Sequence, residues 1–369
     1  MKKVIFAVIV IIILILVVVF AGKSDSSPQT IKIGSILSET GVAASFGEMS
    51  HKGIELAAKE LNESGVNGQK VQIVYEDDQT DPKTAAGLYH KLTGVDHVDA
   101  IIGSNFDFVT QPLFSLAKDG DTIVISPSNP RIPGSFDTNK NSFVMMTEFS
   151  DIIRVFKTYL STTTYKQLGI VRFESSFAEQ IEKTLNDIQI ELGKKPLISE
   201  TYKQIGNNDF RTQILKLKQS GVDLVFLDMI AIDPYTFVTQ AKQLGYNPKI
   251  ITHVGLQDAL SVPDVDPKVF NGVVSVNWNV STDDFIKRFN DAYGIKPDKS
   301  ANRAYDAVYI LVDALTMIKK DKSKLVSTLE TVNFTTPNGS FAFNKNHSAV
   351  TTQVRLDIVK DGKFETWVK

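Results

Sequence analysis

The chain has no cysteine among its 369 residues. Disulfides, a thiol nucleophile and lipid attachment through an N-terminal cysteine are therefore all excluded. The stretch Phe20-Ala21-Gly22-Lys23 places a lysine where a lipid-carrying signal would have its cysteine. A surplus of one charge is also missing, since 40 basic and 42 acidic residues leave a net charge of −2. No basic excess points to nucleic acid, and there is no acidic tail. Phosphate-binding loops, dinucleotide-binding glycine fingerprints, nucleophile elbows and zinc-binding helix motifs are absent too. The five histidines, His51, His90, His97, His253 and His347, are scattered without metal-ligand spacing and read as surface or structural side chains. Asp77, Asp78 and Asp81 form an acidic cluster after a strand, which reads as turn and cap chemistry before it reads as a metal site. With no nucleophile and base in view, the chain reads as a non-enzyme with no cofactor and no metal.

What is present begins at the N-terminus. Lys2 and Lys3 precede Val4 to Ala21, 18 residues without a charge. A signal-peptide core takes about 7–15 apolar residues and a membrane span about 20, so this run is closer to a span. The lysines should stay in the cytoplasm and send the rest of the chain outside. Residues 1–22 are thus expected to be a membrane anchor, with cleavage after the small residues Val19 and Ala21 as the alternative. Residues 23–30 form a polar linker.

From Ile31 onward, short apolar runs alternate with amphipathic segments. Strands are expected at Ile31–Leu37, Val71–Asp78, Ala100–Ser104, Thr122–Pro127, Gln167–Phe173, Val222–Met229 and Lys249–Val254. Helices are expected at His51–Ser64, after the Asp81-Pro82 start signal, around Pro112–Lys118, and at Phe177–Leu192, Arg211–Gly221, Asp233–Leu244, Asp283–Gly294 and Asn302–Lys319. Thr352–Trp367 reads as a hairpin turning at Lys360-Asp361-Gly362. Strands alternating with helices imply an α/β fold of doubly wound parallel sheets, and the length suits two lobes. Ligand sites in such sheets lie beyond the carboxyl ends of the strands, where Gly103–Phe108 and Ser126–Pro130 fall.

The segment Ile31–Ala86, "IKIGSILSETGVAASFGEMSHKGIELAAKELNESGVNGQKVQIVYEDDQTDPKTAA", resembles the N-terminal signature of extracytoplasmic solute-binding proteins of the branched-chain amino acid type. The features that match are a strand followed by Ser-x-Thr-Gly, then Phe46-Gly47, Gly53, Asn62, Gly65, Asp77-Asp78 and Asp81-Pro82. "IIGSNFDFVTQP" and "TIVISPSNP" fall where that family has its main ligand-contacting loops, and the resemblance extends to the C-terminus. It implies a class I periplasmic binding protein fold, with two lobes joined by three crossover segments and closing on a small ligand. By analogy, lobe 1 is 31–147 plus 278–350, and lobe 2 is 148–277 plus 351–369. The family's partners are a small-molecule ligand and the permease subunits of an ABC importer. The importer must tell loaded protein from empty, and a ligand that binds both lobes stabilises the closed state.

The expected pocket departs from the family's amino-acid clamp. The serine of the first loop that holds the ligand carboxylate corresponds to Asp107. The threonine of the second loop corresponds to Pro130, after Ser128 and Asn129. Two lobe 2 tyrosines correspond to Phe177 and Ile230, and the acid that pairs with the ligand ammonium falls near Val254. At about 4 Å, two like charges cost about 4 kcal/mol at an effective dielectric of 20, so a ligand carboxylate would not sit beside Asp107. Two readings of Asp107 follow. It faces the cleft and, with Phe46, Phe106, Phe108 and Phe177, makes an acidic aromatic pocket for an amino-acid-like, amide or cationic solute. Or it caps the next helix while the phenylalanines are core. Asn105, Ser128, Asn129 and Asp228 complete the candidate ligand set, with ordinary loop solvation as the plainer reading of Asp228 and Asp233. A receptor-type ectodomain acting through a membrane partner is the competing function.

Overall fold

The structure is a computed structural model. It describes residues 30–127, 131, 139–206, 208–253, 255–260, 262, 264–277, 281–350 and 354–368. The apolar run Val4–Ala21, linker residues 23–29, Ser128, Asn129, Pro130 and Val254 lie outside the described residues, and Thr30, expected in the linker, opens the first strand. Among the described residues, no helix is long and apolar enough to cross a membrane.

Two sheets organise the chain. The first holds β1 (Thr30–Leu37), β2 (Lys70–Asp77), β3 (Ala100–Gly103), β4 (Ile123–Ser126) and β5 (Ser142–Val144) in the order β2-β1-β3-β4-β5, every pair parallel. The second holds β6 (Leu168–Phe173), β7 (Ile198–Tyr202), β8 (Leu224–Asp228), β9 (Lys249–Thr252) and β10 (Val274–Asn277) in the order β7-β6-β8-β9-β10. Both orders are the same doubly wound pattern, which leaves a crevice where the winding reverses, between β1 and β3 and between β6 and β8. The expectation of parallel sheets needs one amendment. The hairpin β13 (Arg355–Lys360) and β14 (Lys363–Thr366) extends the second sheet antiparallel to β10. Its two-residue turn has positive φ at Asp361 (48°) and Gly362 (75°), as a primed hairpin turn requires.

In the first half, α1 (Ala44–Ser64) and α10 (Lys299–Met317) cover one face of the sheet, and α2 (Pro82–Gly94) and α3 (Asp107–Asp119) cover the other. A further hairpin, β11 (Phe334–Thr336) and β12 (Gly339–Phe341), joins the α10 side. The helix α10 is buried almost all round, as its apolar sequence dictates. It can approach α1 because Gly53 has no side chain; a Cβ there would stand 2.1 Å from the Ala301 carbonyl oxygen. In the second half, α4 (Phe149–Thr162) and α5 (Ser176–Glu191) pack on one face. The other face takes α6 (Arg211–Gln219), α7 (Asp233–Gln243) and α8 (Gly255–Leu260).

The sequence reading missed β5, α4, β7, α8, β10, the helix Leu325–Thr331 and the β11–β12 pair, and it began α1 and α10 late. The remaining helices are α9 (Asp283–Tyr293) and α11 (Leu325–Thr331). The chain passes between the halves three times. It crosses from β5 into α4, from β10 into α9, and from the β11–β12 region into β13.

Candidate functional site

The crevice of the first sheet is built on Asp78. Its carboxylate accepts hydrogen bonds from the hydroxyl of Ser38 after β1 (2.6 Å), from the hydroxyl of Ser104 after β3, and from the backbone N–H of Thr80 (2.8 Å). One buried carboxylate thus fastens the two loops that flank the reversal point. Burial pushes the Asp78 carboxyl above its ordinary range, against the pull of the Ser104 and Ser38 donors. Asp77 works at the rim. It accepts the backbone N–H groups of Glu39 and Thr40, and Thr40 also donates its hydroxyl. Asp81 caps α2 through Thr84 N–H (2.7 Å), behind Pro82 at the first helical position. The acidic cluster is turn and cap chemistry, as its sequence suggests.

Asn105 is buried, and its amide is engaged inside the first half. Its oxygen accepts the Ser38 N–H (3.3 Å), and its nitrogen donates to Ser50 Oγ (2.8 Å) and to the Phe46 carbonyl (3.4 Å). Phe46, on α1, meets Phe106 edge-on at 5.5 Å, and Phe106 lies 5.9 Å from Phe108. The Lys299 ammonium stands 5.8 Å above the Phe46 ring, which places a cation within this aromatic group.

Asp107 is 7% exposed between two half-buried phenylalanines. It is the first residue of α3, and the cap position in front of it is Phe106, which offers no side-chain cap. The capping alternative therefore changes form. Asp107 stands inside the first turn, where a carboxylate gains from the helix dipole without being the N-cap.

The second sheet supplies the facing wall. Phe177 is the second residue of α5, whose cap is Ser175, accepting the Ala178 N–H at 3.1 Å. Phe177 packs both on the α4–α5 core of its own half and on the α2–α3 core that includes Phe106 and Phe108. Its ring meets Phe149 at 6.1 Å and His253 at 6.0 Å. His253 was read from sequence as surface or structural. It is 4% exposed, directly after β9, with its Nε2 against Asp228 Oδ1. His253 is thus the structural kind, whereas the solvated-loop reading of Asp228 is overturned. This last residue of β8 is 4% exposed and paired with His253. Alternation explains the pairing. Phe226 and Ile251 belong to the α4–α5 face, so Asp228 and His253, two residues further along each strand, project to that face. Only the adjacency of β8 and β9 brings them together. Asp233 is fully buried and holds the loop before α6, accepting Gly206 N–H (3.0 Å) and Asn208 Nδ2 (2.9 Å). Its carboxyl is pushed up by burial, against the Asn208 and Gly206 donors.

Phe46, Phe106 and Phe108 thus cluster in one half beside Asp107, and Phe177 of the other half packs against the same core while its ring meets His253, the partner of Asp228. Comparisons with known proteins match the fold. Leu/Ile/Val-binding protein homolog 2 of Brucella abortus is 27% identical over 353 residues, spanning 89% of this chain and 91% of the relative. The branched-chain amino acid transporter substrate binding protein LivJ of Streptococcus pneumoniae, solved with isoleucine, superposes with a TM-score of 0.75 at 22% identity, covering 92% of this chain and 98% of that one. A solute binding protein of an ABC transporter from Rhodopseudomonas palustris, solved with 3,4-dihydroxy benzoic acid, superposes with a TM-score of 0.80 at 18% identity, covering 91% and 95%. Residues 30–363 match the family model described as periplasmic binding protein, and the chain belongs to that family.

Proposed function

We propose that the chain is the extracytoplasmic substrate-binding protein of an ABC importer, capturing a small amino-acid-like, amide or cationic solute between two closing lobes. The observation that carries this reading is Phe177, which packs at once on the cores of both halves at the meeting of their two reversal points. A ligand bridging such a cleft favours the closed arrangement by its differential affinity for the two states. The relatives' descriptions as binding and transport proteins support this reading over a receptor-type ectodomain. Lobe 1 would be 31–147 plus 278–350 and lobe 2 would be 148–277 plus 351–369. Residues 1–22 would anchor the protein to the membrane, beside its permease partners.

The ligand class rests on the site residues rather than the fold, since structures that share the fold were solved with isoleucine and with a benzoic acid derivative. Asp107 stands among phenylalanines and excludes a ligand carboxylate at its own position. The aromatic faces and the carboxylate together suit an ammonium or amide group. Phe46, Asn105, Phe106, Asp107, Ser128, Asn129, Phe177 and Asp228 remain the proposed ligand set, with Asn105 in a supporting role because its amide is engaged. His253 joins them as the residue that orients Asp228. A thermal-shift screen with amino acids, amides, polyamines and quaternary amines tests the proposal. Ligand at a hundred times its dissociation constant stabilises by about 2.7 kcal/mol. A response confined to leucine, isoleucine or valine would reject the acidic-pocket reading, and silence across the whole panel would reject the ligand class.

A further inference from the structure

The three crossings between the halves are not free linkers on their first-half side. In the first, Arg303 is 3% exposed and donates from Nη1 to the Met145 carbonyl (2.6 Å), with the same nitrogen against the Met146 sulfur. In the second, Asn302 Nδ2 donates to Ser281 Oγ (2.7 Å), and Thr282 Oγ1 donates to Asn338 Oδ1 (3.1 Å). Asn338 returns from the β11–β12 turn to donate to Asn302 Oδ1 (2.9 Å) and Asp306 Oδ1 (3.1 Å). Thr336 donates its hydroxyl to the same Asp306 oxygen (2.7 Å). Asn302, Arg303 and Asp306 stand on a single turn of α10, each at most 3% exposed. Polar side chains this deeply buried are retained only with their partners in place, and here the partners are the crossing segments.

We infer that this turn of α10, Asn302 to Asp306, is the fixed bearing of the movement between the halves: it clamps two of the three crossings to the first half and so sets how far the cleft opens. The bending of the first crossing then falls on the second-half side of Met146. The third crossing is fastened to β5 of the first sheet, where Val144 N–H donates to the His347 carbonyl (2.9 Å) and the Val144 carbonyl accepts Ala349 N–H (3.0 Å). Asn344 Nδ2 (2.8 Å) and Asn346 Nδ2 both donate to Glu148 Oε1, at the residue that precedes α4. Glu148 thus joins the first and third crossings at the residue before α4, and Asn302 and Arg303 belong to the half that holds still. Arg303, Asn302 and Asn338 act as positioning residues and touch no ligand in this scheme. The inference rests on the closure reading, but its test needs no ligand.

The absence of cysteine makes the test direct, because two introduced cysteines are the only ones to carry spin labels. Val42→Cys, 63% exposed beyond β1, and Glu174→Cys, exposed just after β6, flank the cleft from opposite halves. Distances between the labels are measured in the unliganded protein. Asn302→Ala and Arg303→Lys are each expected to broaden the distribution or shift it by several ångströms. Asn141→Ala is the control. It removes bonds to the Ala117 (2.9 Å) and Gly120 (2.7 Å) carbonyls inside the first half, at the end of β5 opposite the first crossing, and should lower stability without moving the distances. If Arg303→Lys does not fold, Asn338→Ala replaces it, since that change cuts the Thr282 link from a half-buried position. Distributions in the folded bearing variants that match the parent, or that match the Asn141→Ala control, overturn the inference. A failed ligand screen would leave this measurement untouched.

Discussion

Asp306 gives the sharpest test of the energetics inside α10. Its carboxyl is 1% exposed, and burial raises its pKa to about 7, against the donors Thr336 and Asn338 and the Arg303 charge, which pull it down. An ordinary aspartate titrates near 3.8. Between those values the folded protein holds a proton that the unfolded chain has lost. Stability therefore falls as pH rises through this window, the reverse of a salt-bridged aspartate. The shift spans about three pH units at about 1.4 kcal/mol each, so the full effect is about 4 kcal/mol. Between about pH 5 and about pH 8, Asp306 alone should remove about 3 kcal/mol of stability. Asp306→Asn keeps an acceptor oxygen for Thr336 and cannot ionise. Urea denaturation of both proteins across this range isolates the group, because the other buried carboxylates cancel in the difference. The variant should lose most of the parent's decline and be the more stable of the two at about pH 8. Parallel stability curves for parent and variant would refute the account of Asp306 as a buried, proton-holding acid.

Other outcomes follow from single contacts. Asp107→Ser removes the charge from the aromatic group and should shift ligand preference away from cations, read as the order of thermal shifts in the panel above. Lowered stability with an unchanged order would assign Asp107 to the dipole of α3 alone. Asp78→Ala strips three donors of their acceptor, two of them hydroxyls on the loops flanking the cleft. At about 1–3 kcal/mol for each unmet buried group it should cost several kcal/mol, measured by chemical denaturation. Gly53→Ala pushes a Cβ against the Ala301 backbone and should destabilise by about 1–3 kcal/mol without a change in ligand order. His253→Ala leaves the buried Asp228 Oδ1 without its ring partner; stability should drop by about 1–3 kcal/mol, as for an unmet buried polar group. A near-neutral result would mean water or a ligand group replaces the ring.

The sequence by itself determined the class of fold and much of the first crevice. Apolar runs gave β1, β3, β4, β6, β8 and β9, because a strand buried on both faces reads as a near-continuous apolar stretch, and the edge strand β2 was read from its alternation. Asp81-Pro82 gave the start of α2, and Asp361-Gly362 gave the last hairpin, since both signals act through neighbouring residues. Most of the missed elements are short; α4 is not, and its buried Phe149, Ile152, Val155, Phe156, Tyr159 and Leu160 carry a helical period that was there to read. β5 has three residues and β10 has four, and each is a strand only because the sheet beside it is already formed. Tertiary structure alone decided the facing wall of the cleft. Asp228 and His253 are 25 residues apart, and neither carries a local signal for the other. Their pairing comes from the register of β8 against β9. Arg303, Asn302 and Asp306 read as one polar edge of an apolar helix. Their partners, Met145, Ser281, Thr336 and Asn338, come from three distant segments that only the folded halves bring to it. Local propensity is encoded within a few residues, whereas the meeting of two sheets at a cleft depends on strand order, which no short window of sequence contains.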